Sequence, residues 1–530
     1  MTFTVRGCRP GLVVLVVGFL ACASAWGQLR VANWNVSNYT GGRVADIKTS
    51  VYGVYNGLSF SPDIILGEEF YTQAAVTEFV SALNTATGSP GDWTAQWVAG
   101  DAGAEGSVMF YRTSKVDYKS YSVASVGGSS PNGPRDVIRY KIKLHGYAAA
   151  GNGAVLFLYN SHMKAGSTND DKLRRLTEAQ NIRNNAEALR LLDPAFHFLF
   201  GGDMNIQVSS ESAYQEMVGS QANNTGRFFD PICTPGTWID NYTLRFVHTQ
   251  DPIGPGGMDD RYDQLLVADS LVDGVGFDYI GDPAVPYSTT TWNDPNHSYR
   301  SWGNDGTSYN TVLRTTGNTM VGATIAQALI NVATTAGHLP VYLDLRVPAV
   351  IGADASVDFG QVQQGSTAQE ALSVWNAGDT VLWTANGVAT LSYSFTASTG
   401  FSAPGGTFVS PPGNPAGSYT ITMDTSTTGV KSGTLTIWAA GADETSRTVQ
   451  LLGEVVAPTG CPGDCNCNDG INWRDIDYFV AAMSGEQSWL NMFLPGTPTC
   501  AYSNCDANED GTTNWRDIDP FVALMNTPCP

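Results

Sequence analysis

The sequence predicts an α+β chain in three parts: a large body of sheet layers covered by helices, an all-β sandwich, and a small α-helical module built on paired loops. Three observations predict this. From Leu29 to about Val347, short apolar runs of strand length alternate with Gly-rich polar loops and a few helical stretches. From 349 to about 457, the chain becomes rich in Thr, Ser, Gly and Val and alternates at strand period. The last 70 residues repeat themselves. At 530 residues the chain exceeds one hydrophobic core, and a prior of roughly 100 to 200 residues per domain suggests about three.

In chain order, residues 1–25 read as a secretory signal. Arg6 and Arg9 give a basic flank, Gly11 to Ala21 an apolar run, and Ala23-Ser24-Ala25 a small-residue cleavage site. The run is too short to span a bilayer, and no other stretch of about 18 apolar residues follows. The expectation is a secreted or cell-surface protein with no transmembrane segment after signal removal. Acylation at Cys22 is the alternative, with Phe19 where such sites usually carry Leu.

The body, 29–348, contains LRVANWNV, PDIILGEEF, GSVMFYR, AVLFLYNSH, FHFLFGGDMNI, YDQLLVAD and PVYLDLRV as strand candidates. The clearest helix runs from Asp170 to Leu192, with Leu173, Leu176, Ala179 or Gln180, Ile182, Ala186 and Leu189 at helical spacing. Strands interleaved with few helices predict two packed sheets with helices outside. In 349–457, SVDFGQVQQGSTAQEALSVWNAGD, GSYTITMDTSTT and SGTLTIWAAG predict a β-sandwich. This segment resembles immunoglobulin-like modules, reads as a spacer or weak binding module, and carries no chemistry of its own.

In 461–530, Asn472-Trp-Arg-Asp-Ile-Asp-Tyr-Phe-Val-Ala-Ala-Met483 returns as Asn514-Trp-Arg-Asp-Ile-Asp-Pro-Phe-Val-Ala-Leu-Met525. In the second copy Asp506, Asn508, Asp510, Gly511, Asn514 and Asp517 fall at positions 1, 3, 5, 6, 9 and 12 of an EF-hand-like loop, offering hard oxygens to Ca²⁺ around a glycine turn. The first copy offers Asp464, Asn466, Asn468, Asn472 and Asp475, with Asp469 where Gly is usual. An acidic, solvated loop remains the alternative for that first site. Position 12 is Asp rather than Glu, and the pair resembles a dockerin module, which implies bound Ca²⁺ and a cohesin-like protein partner. Six of the nine cysteines lie between Cys461 and Cys529, predicting an oxidised module whose pairing stays open among fifteen connectivities.

Charge is uneven. Residues 29–348 carry 22 Lys+Arg against 31 Asp+Glu, a net of −9, and the remainder from 349 carries 4 against 18, a net of −14. Such acidity works against tight, sequence-independent nucleic-acid binding, which depends on basic groups displacing counterions. It leaves room for an enzyme that touches only a few phosphates.

The body also carries an ordered set of polar motifs at strand ends. These are Trp34-Asn35-Val36, Pro62-Asp63-Ile64-Ile65-Leu66-Gly67-Glu68-Glu69, Glu105 to Arg112, Gly133-Pro134-Arg135, Asn160-Ser161-His162, Gly201-Gly202-Asp203-Met204-Asn205, Arg261-Tyr262-Asp263-Gln264-Leu265 and Gly337-His338-Leu339-Pro340. In this order they resemble the endonuclease/exonuclease/phosphatase family, in its deoxyribonuclease-like branch, over Leu29 to about Val347. The resemblance implies a four-layered α/β sandwich and a metal-dependent phosphodiester hydrolase, most simply a nuclease acting on DNA or RNA. It implies Mg²⁺, or Mn²⁺ or Ca²⁺, near Asn35 and Glu69. His162 would act as electrophile or general acid oriented by Glu105, and Arg135 would bind phosphate, with an ordinary surface arginine as the alternative. Asp203 would activate or orient water, Asn205 would stabilise the transferring group, and Asp263 would hold His338 as the second catalytic histidine. Such hydrolysis needs positive charge on the phosphoryl oxygens, a base for water and an acid for the alkoxide.

Two departures stand out. Glu68 occupies a usual Gln position, and Gly337 stands where the family text has Asp, a hard oxygen ligand in much of the family. The same machinery serves sphingomyelinases and small-molecule phosphatases, and Gly337 admits a further reading as a catalytically lapsed extracellular scaffold. His248 is an unassigned cleft candidate.

Overall fold

The computed structural model describes residues 28–100, 104–128, 135–254, 256–334, 337–456, 460–468 and 470–529. The signal reading over 1–25, Gly133-Pro134 and Asp469 lie outside the described residues.

Two sheets form the centre of the body. The first runs β11 (Asp278–Tyr279), β13 (Val341–Arg346), β1 (Leu29–Tyr39), β2 (Ile64–Phe70), β4 (Gly106–Arg112), β3 (Trp93–Val98), with β12 (Arg300–Ser301) on β13. The second runs β5 (Val116–Ser125), β6 (Val137–Leu144), β7 (Val155–Asn160), β8 (His197–Asp203), β10 (Asp263–Ala268), β9 (Phe228–Phe229). Strand alternation divides the apolar side chains. On β1 and β2, Val31, Ile64 and Leu66 point inward against Ile138, Leu156, Leu158, Leu199 and Leu265 of the second sheet. Their neighbours Ala32, Trp34 and Ile65 point outward beneath α1 (Val44–Tyr52), α2 (Gln73–Thr85) and α5 (Gly322–Ala333). On the other outer face, Phe157, Phe198 and Phe200 pack against α3 (Asn169–Leu192) and α4 (Ser212–Val218). The layers are therefore helix, sheet, sheet, helix.

The long helix begins at a capping box between Thr168 and Asp171, which satisfies its first amides. Its buried face differs from the apolar spacing. Leu173 is 62% exposed, whereas Arg175, Glu178 and Arg183 are buried. Arg175 pairs with Glu211 at 2.7 Å and donates to the Lys164 and Gly166 carbonyls, so a paired charge lies on the buried face while Leu173 lies outside it.

Residues 349–456 form two facing sheets, one of four strands and one of five, closed on a core including Leu372, Val374, Ile421, Leu435, Ile437 and Leu451. This sandwich packs directly on the body. Trp383 and Val388 belong to the same apolar cluster as the inter-sheet core, and Lys115 Nζ lies 4.1 Å from the Trp383 ring centroid. Asp443 accepts from the Ala154 amide at 3.0 Å.

In the terminal module each repeat begins a short helix, Ile476–Met483 and Ile518–Leu524, and Phe479 stacks on Phe521 at 4.2 Å. Disulfides join Cys461 to Cys529 and Cys467 to Cys500. Among the described residues no helix is long and apolar enough to cross a membrane.

Candidate active site

Topology brings the polar motifs to one rim. Asn35, Glu69, Asn160 and Asp203 lie at or near the C-terminal ends of the parallel pairs β1/β2 and β7/β8. Antiparallel neighbours begin where those strands end: Glu105 precedes β4, Arg135 precedes β6, Asp263 opens β10 opposite Asp203, and His338 precedes β13. Strand direction, rather than sequence proximity, assembles the cluster.

Local backbone then aims the side chains. Register slips between Gly67 and Phe70 on β2, and Glu69 adopts φ 63°, so two successive glutamates diverge. Glu68 faces the inter-sheet core, where Asn33 donates to it at 2.6 Å, and Glu69 turns to the rim. Asn205 takes φ 52°, a left-handed turn that asparagine tolerates, and its amide N–H donates to Asp203 Oδ1 at 3.0 Å. The preceding Gly202 is fixed by contact, because a Cβ there would sit 2.0 Å from the Ser161 carbonyl oxygen.

Two histidine–carboxylate pairs face one another across Asp203. His338 Nδ1 is hydrogen-bonded with Asp263 Oδ2 at 2.6 Å, and Thr249 Oγ1 donates to the same oxygen at 2.6 Å. His162 Nδ1 lies 2.8 Å from Glu105 Oε1, an ion-pair contact rather than an aligned hydrogen bond, and Arg135 Nε touches the same carboxylate. Asp203 Oδ2 is 3.4 Å from His162 Nε2 and 3.7 Å from His338 Nε2. Asn35 Nδ2 donates to Glu69 Oε1 at 2.9 Å and to Asp203 Oδ2 at 3.3 Å, and the Asn38 amide donates to Glu69 Oε2 at 2.6 Å.

The charges follow from these contacts. Burial pulls both imidazoles toward the neutral form, but Glu105 and Asp203 raise His162, and Asp263 and Asp203 raise His338. Burial pushes Asp203 up, yet the facing histidines hold its carboxyl below the usual carboxylate range. Glu105 is likewise pushed up by burial and brought below its ordinary value by His162 and then Arg135. Glu68 is raised well above that range by burial, then by Asp263 and Asp203. The rim thus offers a carboxylate between two imidazoles whose protonated forms their carboxylate neighbours favour. Glu69, Glu105 and His162 also bring ligand atoms within 4.8 Å of one another, a group able to hold a metal ion.

No family model and no curated protein matches the chain. Solved structures similar to it include an endonuclease/exonuclease/phosphatase family protein from Bacteroides thetaiotaomicron, with 16% identity over 60% of this chain and 97% of that one, and a TM-score of 0.35. A mannosyl-6-phosphatase of the same organism gives 16% identity, 60% and 99% coverage and 0.33. TDP2 of D. rerio complexed with single strand DNA product gives 13%, 60% and 98%, and 0.33. With TM-scores below 0.5 this likeness carries no inference, and the functional reading rests on side-chain geometry.

All eight rim residues singled out in sequence, Asn35, Glu69, Glu105, His162, Asp203, Asn205, Asp263 and His338, meet at this rim, with Arg135 beside Glu105. His248 does not line an open cleft; it is fully buried, with Nδ1 3.4 Å from the Met258 carbonyl oxygen. Gly337 has a packing reason. A Cβ there would lie 2.2 Å from the Ala333 carbonyl oxygen and 2.3 Å from its Cα, so the last turn of α5 leaves no room for a side chain. Sequence reading missed Thr249, whose only signal is its place beside His248. It also missed the bracing of Asn160, whose side-chain amide donates to the Gly67 and Val108 carbonyls and ties the two sheets together below the rim.

In the terminal module Asp475 accepts from the Asn466 and Asn472 amides, and Asp517 from the Asn508 and Asn514 amides, so each position-12 carboxylate folds back into its loop. Gly511 has φ 87°, as a position-6 turn requires. Asp464 and Asp506 turn inward likewise, accepting from the Asn468 and Asp510 amides.

Proposed function

We propose that this chain is an exported, metal-dependent phosphodiester hydrolase, with a nuclease as the favoured form. The observation that carries the proposal is Asp203 Oδ2 standing between the Nε2 atoms of two histidines, each backed by its own carboxylate.

An ionised Asp203 orients the attacking water and accepts its proton. His338, kept protonated by Asp263 and braced through Thr249, donates to a phosphoryl oxygen. His162, fixed by Glu105, protonates the departing alkoxide, and Asn205 donates to the transferring group. Glu69 fits a hard divalent cation through its carboxylate, which the Asn35 side-chain amide orients while its own oxygen accepts from the Ser37 amide, and the buried Glu105 oxygens and His162 Nδ1, which lack aligned hydrogen-bond partners, add polar capacity beside it. Mg²⁺, Mn²⁺ or Ca²⁺ held there would place positive charge on the phosphoryl group. The nuclease form rests on Arg135, which is ion-paired to Glu105 yet 30% exposed at the rim and would contact a neighbouring phosphate of a nucleic-acid strand. Packing against Ala333 gives Gly337 a steric role, and the carboxylate missing there is the observation on which the alternative reading, a catalytically lapsed scaffold, rests.

The test is hydrolysis of plasmid DNA, RNA, sphingomyelin and small phosphomonoesters by the full chain with each metal. Cleavage of nucleic acid supports the favoured form. Cleavage of sphingomyelin or monoesters alone moves the assignment to a sphingomyelinase or phosphatase, and inactivity on all of them refutes the proposal.

For the terminal module we propose Ca²⁺ in both loops and docking to a cohesin-like protein. Trp473 and Trp515 are 68% and 72% exposed at equivalent positions of the repeats, beside Ile476 and Ile518, and make a duplicated face for such a partner. Chelator should speed trypsin cleavage at Arg474 and Arg516; equal rates with and without Ca²⁺ count against the loops binding it.

A further inference from the structure

Six cysteines serve the terminal module, and the two bridges Cys461–Cys529 and Cys467–Cys500 leave Cys465 and Cys505. These two are neither distant nor exposed. Both are 0% exposed in one apolar cluster with Ile471, Phe479, Trp489 and Phe521. Their segments are stitched together one or two residues away, since the Gly463 amide donates to the Asn504 carbonyl at 2.6 Å and the Asn504 side chain donates to the Asp464 carbonyl at 3.3 Å. Trp489 Nε1 donates to the Cys465 carbonyl at 2.7 Å, holding that strand of the loop in place.

We propose that Cys465 and Cys505 form a third disulfide that joins the two calcium-loop segments covalently. Cys465 is the second residue of the first loop, between Asp464 and Asn466, and Cys505 immediately precedes Asp506, the first ligand position of the second. The bond therefore ties the entry of one loop to the entry of the other. The existing bridges do something different: one closes the module's ends and the other anchors the middle of the first loop to residue 500. A pair of buried thiols on two hydrogen-bonded segments, in a module that is otherwise fully bridged, gains no solvent contact by staying reduced, and closing a loop of about 40 residues adds constraint on the unfolded chain. The reaction requires a disulfide donor such as oxidised glutathione. One thiolate attacks a donor sulfur and forms a mixed disulfide, and the second then displaces the donor's remaining thiolate. The S–S bond forms as two protons and two electrons leave the cysteines, and the donor departs as two thiols.

The test uses the full chain, denatured and reduced, then refolded with Ca²⁺ in a glutathione redox buffer. Denaturation without reduction is followed by light iodoacetamide, then reduction and heavy iodoacetamide, and peptide mass spectrometry reads each cysteine. Heavy label on both Cys465 and Cys505 is expected, with Cys465 turning light in Cys505→Ser. Light label on both in the native chain overturns the proposal, as does Cys465 remaining heavy in Cys505→Ser, which would show a different partner. Because Cys467 and Cys500 must read heavy throughout, they report that the module has oxidised and folded in both proteins.

Discussion

Replacing Gly337 by aspartate would restore the carboxylate that the motif Gly337-His338-Leu339-Pro340 lacks, and a purely chemical view predicts tighter metal binding and faster turnover. The packing predicts the reverse. The new Cβ would meet the Ala333 carbonyl oxygen at 2.2 Å, its Cα at 2.3 Å and its Cβ at 2.4 Å. Two of these are backbone atoms of a helix, so no flexible side-chain tip can swing away, and either α5 or the segment entering β13 must move. Overpacking of this kind costs about 1 to 3 kcal/mol, and a carboxylate entering a buried position adds to it. The segment that would move carries His338, whose carbonyl accepts from Trp34 Nε1 at 3.2 Å and whose successor Leu339 donates to the Thr249 carbonyl at 2.9 Å. Since Thr249 also donates to Asp263, a shift there loosens the histidine and its carboxylate together. Calorimetry of the full chain should find the melting transition of the body lowered by about 2 to 12 °C, at the roughly 2 to 4 °C per kcal/mol typical of domains of about 150 to 250 residues. Gly337→Ala, which adds the Cβ without the charge, should show most of that loss, and neither variant should exceed the native rate on any phosphoester. A Gly337→Asp protein that melts with the native one and hydrolyses faster would refute the packing account and mark residue 337 as a vacated ligand position.

Three further expectations follow from named contacts. Asp263→Asn keeps the shape but removes the charge that holds His338 protonated, so kcat should fall by about 10² to 10⁴-fold with little change in melting; a loss under tenfold would mean that His338 does not act through that pair. Ending the chain at 348 uncovers the body surface beneath Trp383 and Val388 and removes the Val347 backbone bonds to Gly387 and Ala389. Residues 28–348 should therefore lose about 3 kcal/mol or more relative to 28–456, read as a lower urea midpoint, and equal midpoints would show the sandwich to be a passive appendage. His248 is lowered to about 4 by burial, against 6.5 in the open chain. Its contribution is complete above pH 6.5 and is lost as pH falls toward 4, because the unfolded state then binds the proton that the folded state refuses. The loss approaches about 3 kcal/mol, and His248→Gln should flatten the urea-midpoint profile between pH 6.5 and 4; an unchanged slope would remove His248 as its source.

How much of this was legible in the sequence depends on what kind of interaction sets each residue. The strands of the body could be read because their inward and outward residues are both apolar, and the motifs could be read because each closes such a strand: Asn35 after LRVANW, Asp203 after FHFLFGG, Asp263 before QLLVA. What brings these ends to one rim, the parallel pairing of β1 with β2 and of β7 with β8 and the antiparallel entry of β10 and β13, is a long-range property that local pattern does not encode. The errors share that origin. Leu173 fits the helical apolar spacing and is exposed, while Arg175 breaks it and is buried, because Glu211, 36 residues away, neutralises it. Gly337 looked like a missing ligand when set beside a motif, and only the position of Ala333 turns it into a steric requirement. Thr249 carried no signal because a threonine in a loop is ordinary until its hydroxyl is found on Asp263. A motif therefore names the groups that meet the substrate, whereas the residues that hold those groups in place answer to neighbours distant in sequence. The Thr249–Asp263–His338 chain joins three segments that approach only when the second sheet closes against the first, so substitution at Thr249 should alter the behaviour of His338 while leaving every recognisable motif intact.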